Sequence, residues 1–410
     1  MKRIPFSRLT AGALSALFIF LLARCSDDKK SNPASPSTPS VVRVGSLRFI
    51  GEQRIPFNAK FQGTAVGGLS GIDYDENSRT WFLMCDDAAD SNNVRFYTAN
   101  LTISQNAFSE VNLTGVTFIK DPSGGNYPRR PSPNAVDPEG ICYDKATNTL
   151  YWSSEGYRPA PGGGPNPING RNIAQPFIHE IRRDGSFIRA LNLPQRYLMD
   201  TTSSPPRGPR NNGVFESVRL SPDGRSVWAA MEEPLFQDGS RSTSTARGVI
   251  RMIQFDKASG RAIREFAYRM DNLVPTPNPP TAFFVHGVVE ILPLTDTTML
   301  VMERSFAVGG QPDYNIRIYE ASWQGVQDIS SIDALNPDAA PVMRKRLIID
   351  FETIAPRLQN NRIDNVEGMC FGPRLPNGNY TFVVVSDDNY NANQVTQLIA
   401  FEVLPPSSGF

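Results

Sequence analysis

One arrangement recurs five times along this chain and leaves few folds open to it. Each copy is a short apolar strand opening on a polar residue, a turn, a second strand closing on an acid, and then a third strand. The copies begin at Leu69–Asp75, Pro138–Asp144, Phe215–Val218, Val289–Leu292 and Val366–Met369. Their opening polar residues are Ser70, Glu139, Glu216, Glu290 and Glu367, at intervals of 69, 77, 74 and 77 residues. The closing acids Asp86, Glu155 and Glu232 each follow 16 residues later, Glu303 follows after 13 and Asp387 after 20. Turn formers separate the two strands, as in Ser221-Pro222-Asp223-Gly224 and Leu375-Pro376-Asn377-Gly378. Third strands follow as RFYTANL, FIHEIRR, GVIRMIQFD, NIRIYEA and TQLIAFEV, and fourth strands as AFSEVNL, FIRALNL, AIREFAY and MRKRLIIDF.

A unit of roughly 74 residues with four short strands is one blade of a β-propeller. The expected fold is all-β, with five four-stranded blades. The fifth copy has three strands, so its fourth is expected from Val42–Ile50, which would close the ring and leave no open edge. A six-bladed ring with an irregular blade in the long connections is the alternative. The 31 Gly and 34 Pro suit many strands joined by turns.

The balance of 41 Lys+Arg against 41 Asp+Glu argues against nucleic acid as partner, since that affinity is mostly phosphate neutralisation. Residues 1–24 read as a signal peptide: Lys2, Arg3 and Arg8 precede the apolar run Ala11–Ala23, which is too short to span a membrane. Residues 25–40 form a Ser/Pro-rich tether, and residues 41–410 a single domain. Leu22-Ala23-Arg24-Cys25 resembles a bacterial lipobox, with Arg24 where a small residue is usual. The chain is therefore expected in the cell envelope, either lipid-anchored through Cys25 or secreted, soluble once processed and monomeric. Cys85, Cys142 and Cys370 have no metal-ligand spacing and read as small buried residues.

In a propeller the first strand of each blade lines the central channel, so Ser70, Glu139, Glu216, Glu290 and Glu367 should converge on the axis. Like charges ~4–5 Å apart repel by ~3–4 kcal/mol at an effective dielectric near 20. Protonation, basic partners or a cation must relieve this, and Arg219, three positions after Glu216, is the one basic residue that close to the ring in sequence. A hard dication with oxygen ligands, Ca²⁺, is the economical answer, with the five ring residues as its ligands. The other reading is a water-bridged tunnel without metal. The second acidic set, with Asp86, Asp87, Glu155, Glu232, Glu303 and Asp387 as candidate catalytic groups together with Arg304, should face one mouth. Arginines 129, 130, 158, 207, 210 and 362 lie in the long loops and suit an anionic ligand. Neither His179 nor His286 belongs to a recognisable triad, and no nucleotide-binding or zinc-protease motif occurs.

The segments GGLSGIDYD, DPEGICYD, VFESVRLSPDGRSVWAAMEE and DNVEGMCFGP…VVVSDDN resemble the phytase-like propeller family, "esterase-like activity of phytase", over about residues 45–403. That resemblance implies a propeller in a secreted or lipoprotein setting and a hydrolase. The Ser-plus-Glu ring is also similar to that of five-bladed calcium-activated apyrases, which implies axial calcium at the five ring positions. Two functions follow as expectations: a calcium-dependent hydrolase of a small phosphate-bearing ester, or a non-catalytic, calcium-stabilised surface propeller that binds an extracellular ligand or protein.

Overall fold

The computed structural model describes residues 42–406 except 131, 133, 159–172 and 201. The signal-peptide, Cys25 and tether expectations therefore lie outside the described residues. Five antiparallel four-stranded sheets make up the domain, and the remaining helical elements are single 3₁₀ turns. Blade 1 runs Gly71–Asp75, Thr80–Cys85, Arg95–Ile103 and Phe108–Phe118. Blade 2 runs Pro138–Asp144, Thr149–Ser154, Phe177–Arg182 and Phe187–Ala190. Blade 3 is Phe215–Leu220, Ser226–Met231, Val249–Asp256 and Ala262–Arg269, and blade 4 is Phe284–Pro293, Thr298–Ala307, Tyr314–Ser322 and Arg344–Asp350. Blade 5 takes Asn365–Arg374, Tyr380–Asp387 and Thr396–Leu404 from the C-terminal end of the chain and Ser46–Ile55 from its N-terminal end.

That last strand pairs from Ser46 opposite Leu404 to Ile55 opposite Thr396. It starts four residues later and ends five later than expected, but it closes the ring as its sequence implied. The other small sheet, Lys60–Phe61 with Thr64–Ala65, is a two-residue hairpin and no sixth blade. The first strand of each blade packs against the first strands of its two neighbours all round, including blade 5 against blade 1.

Local chemistry sets the hairpins. Asp75, Asp144, Asp223 and Asn377 each accept a backbone N–H two residues on, and Gly224 and Gly378 supply the left-handed conformation that ends the tight turns. Apolar cores fill the wedges between blades, as where Phe82 and Met84 of blade 1 meet Ile141 and Trp152 of blade 2. Cys85, Cys142 and Cys370 are free and buried. A glycine after the ring residue lets inner strands approach: a Cβ on Gly71 would meet Glu139 O at 2.7 Å, and one on Gly140 would meet Val218 N at 2.8 Å.

Below the ring, Arg219 of blade 3 is 2% exposed and closes the axis. Its guanidinium donates to Ile72 O at 2.8 Å in blade 1, to Met369 O at 2.9 Å in blade 5 and to Glu290 of blade 4. Asp73 of blade 1 lies 3.4 Å away. One side chain thus ties four blades together. Replacing it by Met strands the Glu290 carboxylate in the interior. Arg219→Met should lose about 3–5 kcal/mol in urea unfolding, and the double variant Arg219→Met/Glu290→Met should recover a large part of that loss.

Candidate metal centre

The inner strands of blades 2 to 5 carry a bulge beside the ring position. Pairing skips Glu216 between Phe215 and Ser217, Glu367 between Val366 and Gly368, and Glu139-Gly140 between Pro138 and Ile141. A bulge turns the extra residue out of the ladder and re-aims its side chain. In blade 4 the skipped residue is Val289, between Val288 and Glu290. Glu290 therefore stands one residue past the ring position. It accepts from Ser217 Oγ and Arg219, so it faces the closed end of the axis rather than the other ring acids.

The second strands obey the same register. Phe215 pairs with Met231, Val366 with Ser386, Pro138 with Ser154 and Val288 with Glu303. The next residue in each is Glu232, Asp387, Glu155 and Arg304, with Asp86 following Cys85 in blade 1. The upper tier is thus Asp86, Glu155, Glu232, Arg304 and Asp387, over a lower tier of Ser70, Glu139, Glu216, Val289 and Glu367. Blade 4 replaces the acid of each tier, by an arginine above and a valine below.

Arg304 neutralises one side of the mouth. It reaches Glu232 at 2.6 Å, Glu367 at 2.8 Å and Asn365 at 2.6 Å. Burial pushes Glu367 up to about 7 even with Arg304 opposing. The other side has no comparable cation. Among the described residues no donor reaches the carboxylates of Asp86, Glu139 or Glu216, and Ser70 Oγ turns to Glu139 O at 2.9 Å. Glu155 accepts from Val214 N–H through Oε1, while its buried Oε2 has no partner. Asp137 meets only Arg130, at 3.7 Å. Burial first, and then neighbouring carboxylates, hold the proton affinities of Asp86, Glu139, Glu155 and Glu216 well above the ordinary carboxylate range.

One carboxylate oxygen each from Asp86, Asp137 and Glu139 lie within 4.8 Å of one another, and so do one each from Glu139, Glu155 and Glu216. An all-oxygen donor set of this charge suits a hard divalent cation. Asp137 was not among the sequence candidates, although it sits two residues before Glu139 in Asp137-Pro138-Glu139; the pair of acids flanking a proline at a strand start was the available signal.

Several candidates lie elsewhere. Asp87 accepts from Arg95 at 2.7 Å and from the N–H groups of Ser91 and Asn92, which fixes the following loop. Glu303 points away from the axis into a buried cluster: Lys345 Nζ at 2.6 Å, Tyr268 Oη at 2.7 Å and His286 Nε2 at 3.2 Å. Against burial, His286 and Lys345 hold Glu303 down to about 2. His179 stacks on Phe177 at 3.7 Å, and burial lowers it to about 3, marking it as a packed ring. Of the loop arginines, Arg158 and Arg210 cap carbonyls and stack on Phe236, Arg207 pairs with Asp333, Arg362 with Asp364, and Arg129 donates to Asp90 O. Arg130 alone among them stands beside the acidic cluster, held by Asp90 at 2.8 Å, in a cleft that Asp137, Glu155 and Tyr157 also line.

With this geometry in place, a family model described as "Phytase-like: Esterase-like activity of phytase" matches residues 64–390, most of the chain. Among curated proteins none matches. Among solved structures, an exo-1,5-α-L-arabinanase from a bovine ruminal metagenomic library is similar at 11% identity and TM-score 0.40, over 86% of this chain and 98% of that one. A glycoside hydrolase family 43 protein, BlXynB from Bacillus licheniformis, matches at 10% identity and TM-score 0.42, over 85% of this chain and 54% of its own.

The Glu303 cluster yields a pH test. A carboxylate held below its unfolded value adds stability above about pH 4.5 that is lost as pH falls toward 2. Lys345→Met should therefore cost about 2–3 kcal/mol at pH 7, with the gap to the native protein narrowing between pH 4.5 and pH 2 in urea unfolding.

Proposed function

This chain belongs to the phytase-like family, and from that premise we propose that it is a calcium-dependent hydrolase of small phosphate-bearing esters that works outside the cytoplasm. The observation that carries the reading is the set of Asp86, Asp137, Glu139, Glu155 and Glu216, five carboxylates gathered at one mouth; among the described residues Arg130 stands beside Asp137, and Arg304, paired with other acids, lies toward Glu216. Calcium fits these residues: every donor is a hard oxygen, and Glu155 Oε2 is buried without a hydrogen bond. Bound there, calcium supplies positive charge that screens a phosphate and polarises water. The location rests on the leader-like residues 1–24 and the lipobox-like Cys25.

The chain's own groups bind and orient. Arg130, tied to Asp90 and 3.7 Å from Asp137, is the guanidinium beside the acidic cluster that an anionic ester arriving from solvent would meet. Arg304 is engaged through both terminal nitrogens by Glu232, Glu367 and Asn365, so its part is to keep those carboxylates ionised and in place. Asp387 accepts one hydrogen bond, from Asn389 N–H, and burial together with Glu367 raises its proton affinity. It is the carboxyl assigned to take or return a proton. The other function, a calcium-stabilised binding module, is favoured by one observation: Arg219 closes the axis and Glu155 and Glu232 are nearly fully buried, as a structural staple requires.

Release of phosphate or p-nitrophenol from a panel of esters decides between them. Turnover should appear with calcium, vanish with EGTA, and fall on the order of 100-fold in Glu139→Gln. No calcium-sensitive turnover on any ester would leave the binding module.

A further inference from the structure

We infer that a cleft walled by Tyr127, Phe177 and His179, next to the acidic mouth, seats the alcohol-side group of the ester, and that this group is an uncharged aromatic ring. The inference rests on the ester-hydrolase reading above and names its substrate class.

The cleft encloses about 790 Å³, within the ~300–1,000 Å³ of small-molecule sites. Its wall is a bank of rings. His179 stacks on Phe177 at 3.7 Å with 15° between the planes, and Tyr127 lies nearly parallel to Phe177, at 6.4 Å and 16°. Tyr127 Oη meets His179 Nδ1 at 3.3 Å, which fixes both rings. Val136 and Ile173 add aliphatic surface, and Ile173 is 37% exposed, a large apolar side chain left to solvent.

This lining offers little to a charged or polyhydroxylated group. Asp121 is the one charged side chain among the described residues of the cleft, and its Oδ1 already accepts from Ser123 N–H, Ser123 Oγ–H and Gly125 N–H. Asn126 Oδ1 accepts from Lys120 Nζ, and both ends of the Gln175 amide are committed to the Met199 backbone. What remains is ring faces and aliphatic side chains, which hold an aromatic group by burial and offset stacking.

Position ties the cleft to the reaction. Ala135, Val136 and Ala174 line both this cleft and the one that holds Arg130, Asp137 and Glu155. Val136 directly precedes Asp137, and Ala174 pairs with Tyr157, two residues past Glu155. An ester whose phosphate meets the acidic mouth can therefore lay its alcohol side against the rings. In its hydrolysis the water oxygen bonds to phosphorus, the bond to the alcohol oxygen breaks with its electron pair, and a proton from the water ends on that oxygen.

The test pairs binding with kinetics on the full chain. 1-Naphthol, followed by its fluorescence, should bind with calcium or with EGTA alike. Asn134→Trp fills the cleft from an exposed position, and Phe177→Leu removes a ring but stays apolar. Each should weaken naphthol binding on the order of 10-fold. With calcium, native kcat/KM should be on the order of 10-fold higher for 1-naphthyl phosphate than for glycerol 2-phosphate, and the variants should erase that preference by lowering only the first. Naphthol binding that is absent, or unchanged in both variants, overturns the inference without touching the hydrolase reading, and so does measurable but equal kcat/KM for the two esters. Naphthol binding weakened in the variants with no turnover of any ester overturns the hydrolase reading and the alcohol-side role with it.

Discussion

Carboxylates gathered on a closed axis repel one another, and the arrangement of this molecule follows from how that repulsion is relieved. At ~4–5 Å each unscreened pair costs several kcal/mol in a protein interior, more than a marginally stable fold can carry several times over. Three devices share the task here. Arg219 takes Glu290 at the closed end of the axis. Arg304 takes Glu232 and Glu367 at one side of the mouth. Asp86, Glu139, Glu155 and Glu216, on blades 1 to 3, have no such partner, and burial leaves them with raised proton affinities.

The two arginines do different work. Arg219 lies where it can bond carbonyls of two inner strands as well as an acid, so it acts as a cross-brace that a spherical ion could replace only with oxygen ligands. Arg304 comes from the second strand of blade 4, at the position its sister blades fill with an acid. Its charge divides the mouth into a neutralised half and an acidic half.

The ring, the blade count and the closing N-terminal strand were legible in the sequence because they rest on local signals: turn residues at fixed offsets and apolar runs of strand length. The site was half legible. Spacing marked Glu139, Glu216 and Glu367, but it chose Glu290 over Val289, because Val289-Glu290-Ile291 looks like its sister segments and a bulge leaves no trace in composition. The same one-residue slip made Glu303 the terminal acid of blade 4 in place of Arg304. Paired acids such as Asp86-Asp87 could not be sorted by type alone. Successive residues of a strand point to opposite faces, so Asp86 turns to the axis, while Asp87 turns outward to Arg95 and its loop.

That alternation links the scaffold to the mouth. The outward member of each acidic pair anchors the loop that follows: Asp87 to Arg95, Glu233 to Arg241, and Asp388 to the N–H groups of Gly68 and Tyr390. Each anchor fixes the strand end from which the inward acid projects. A fully symmetric ring of acids would centre a cation on the axis, enclosed by five walls. With Val289 and Arg304 in blade 4, the unneutralised charge shifts toward blades 1 to 3, where Asp86 and Asp137 reach solvent beside Arg130. The broken symmetry of one blade thus moves the acidic centre off the axis and toward the one edge of the mouth where an anionic ligand can meet it.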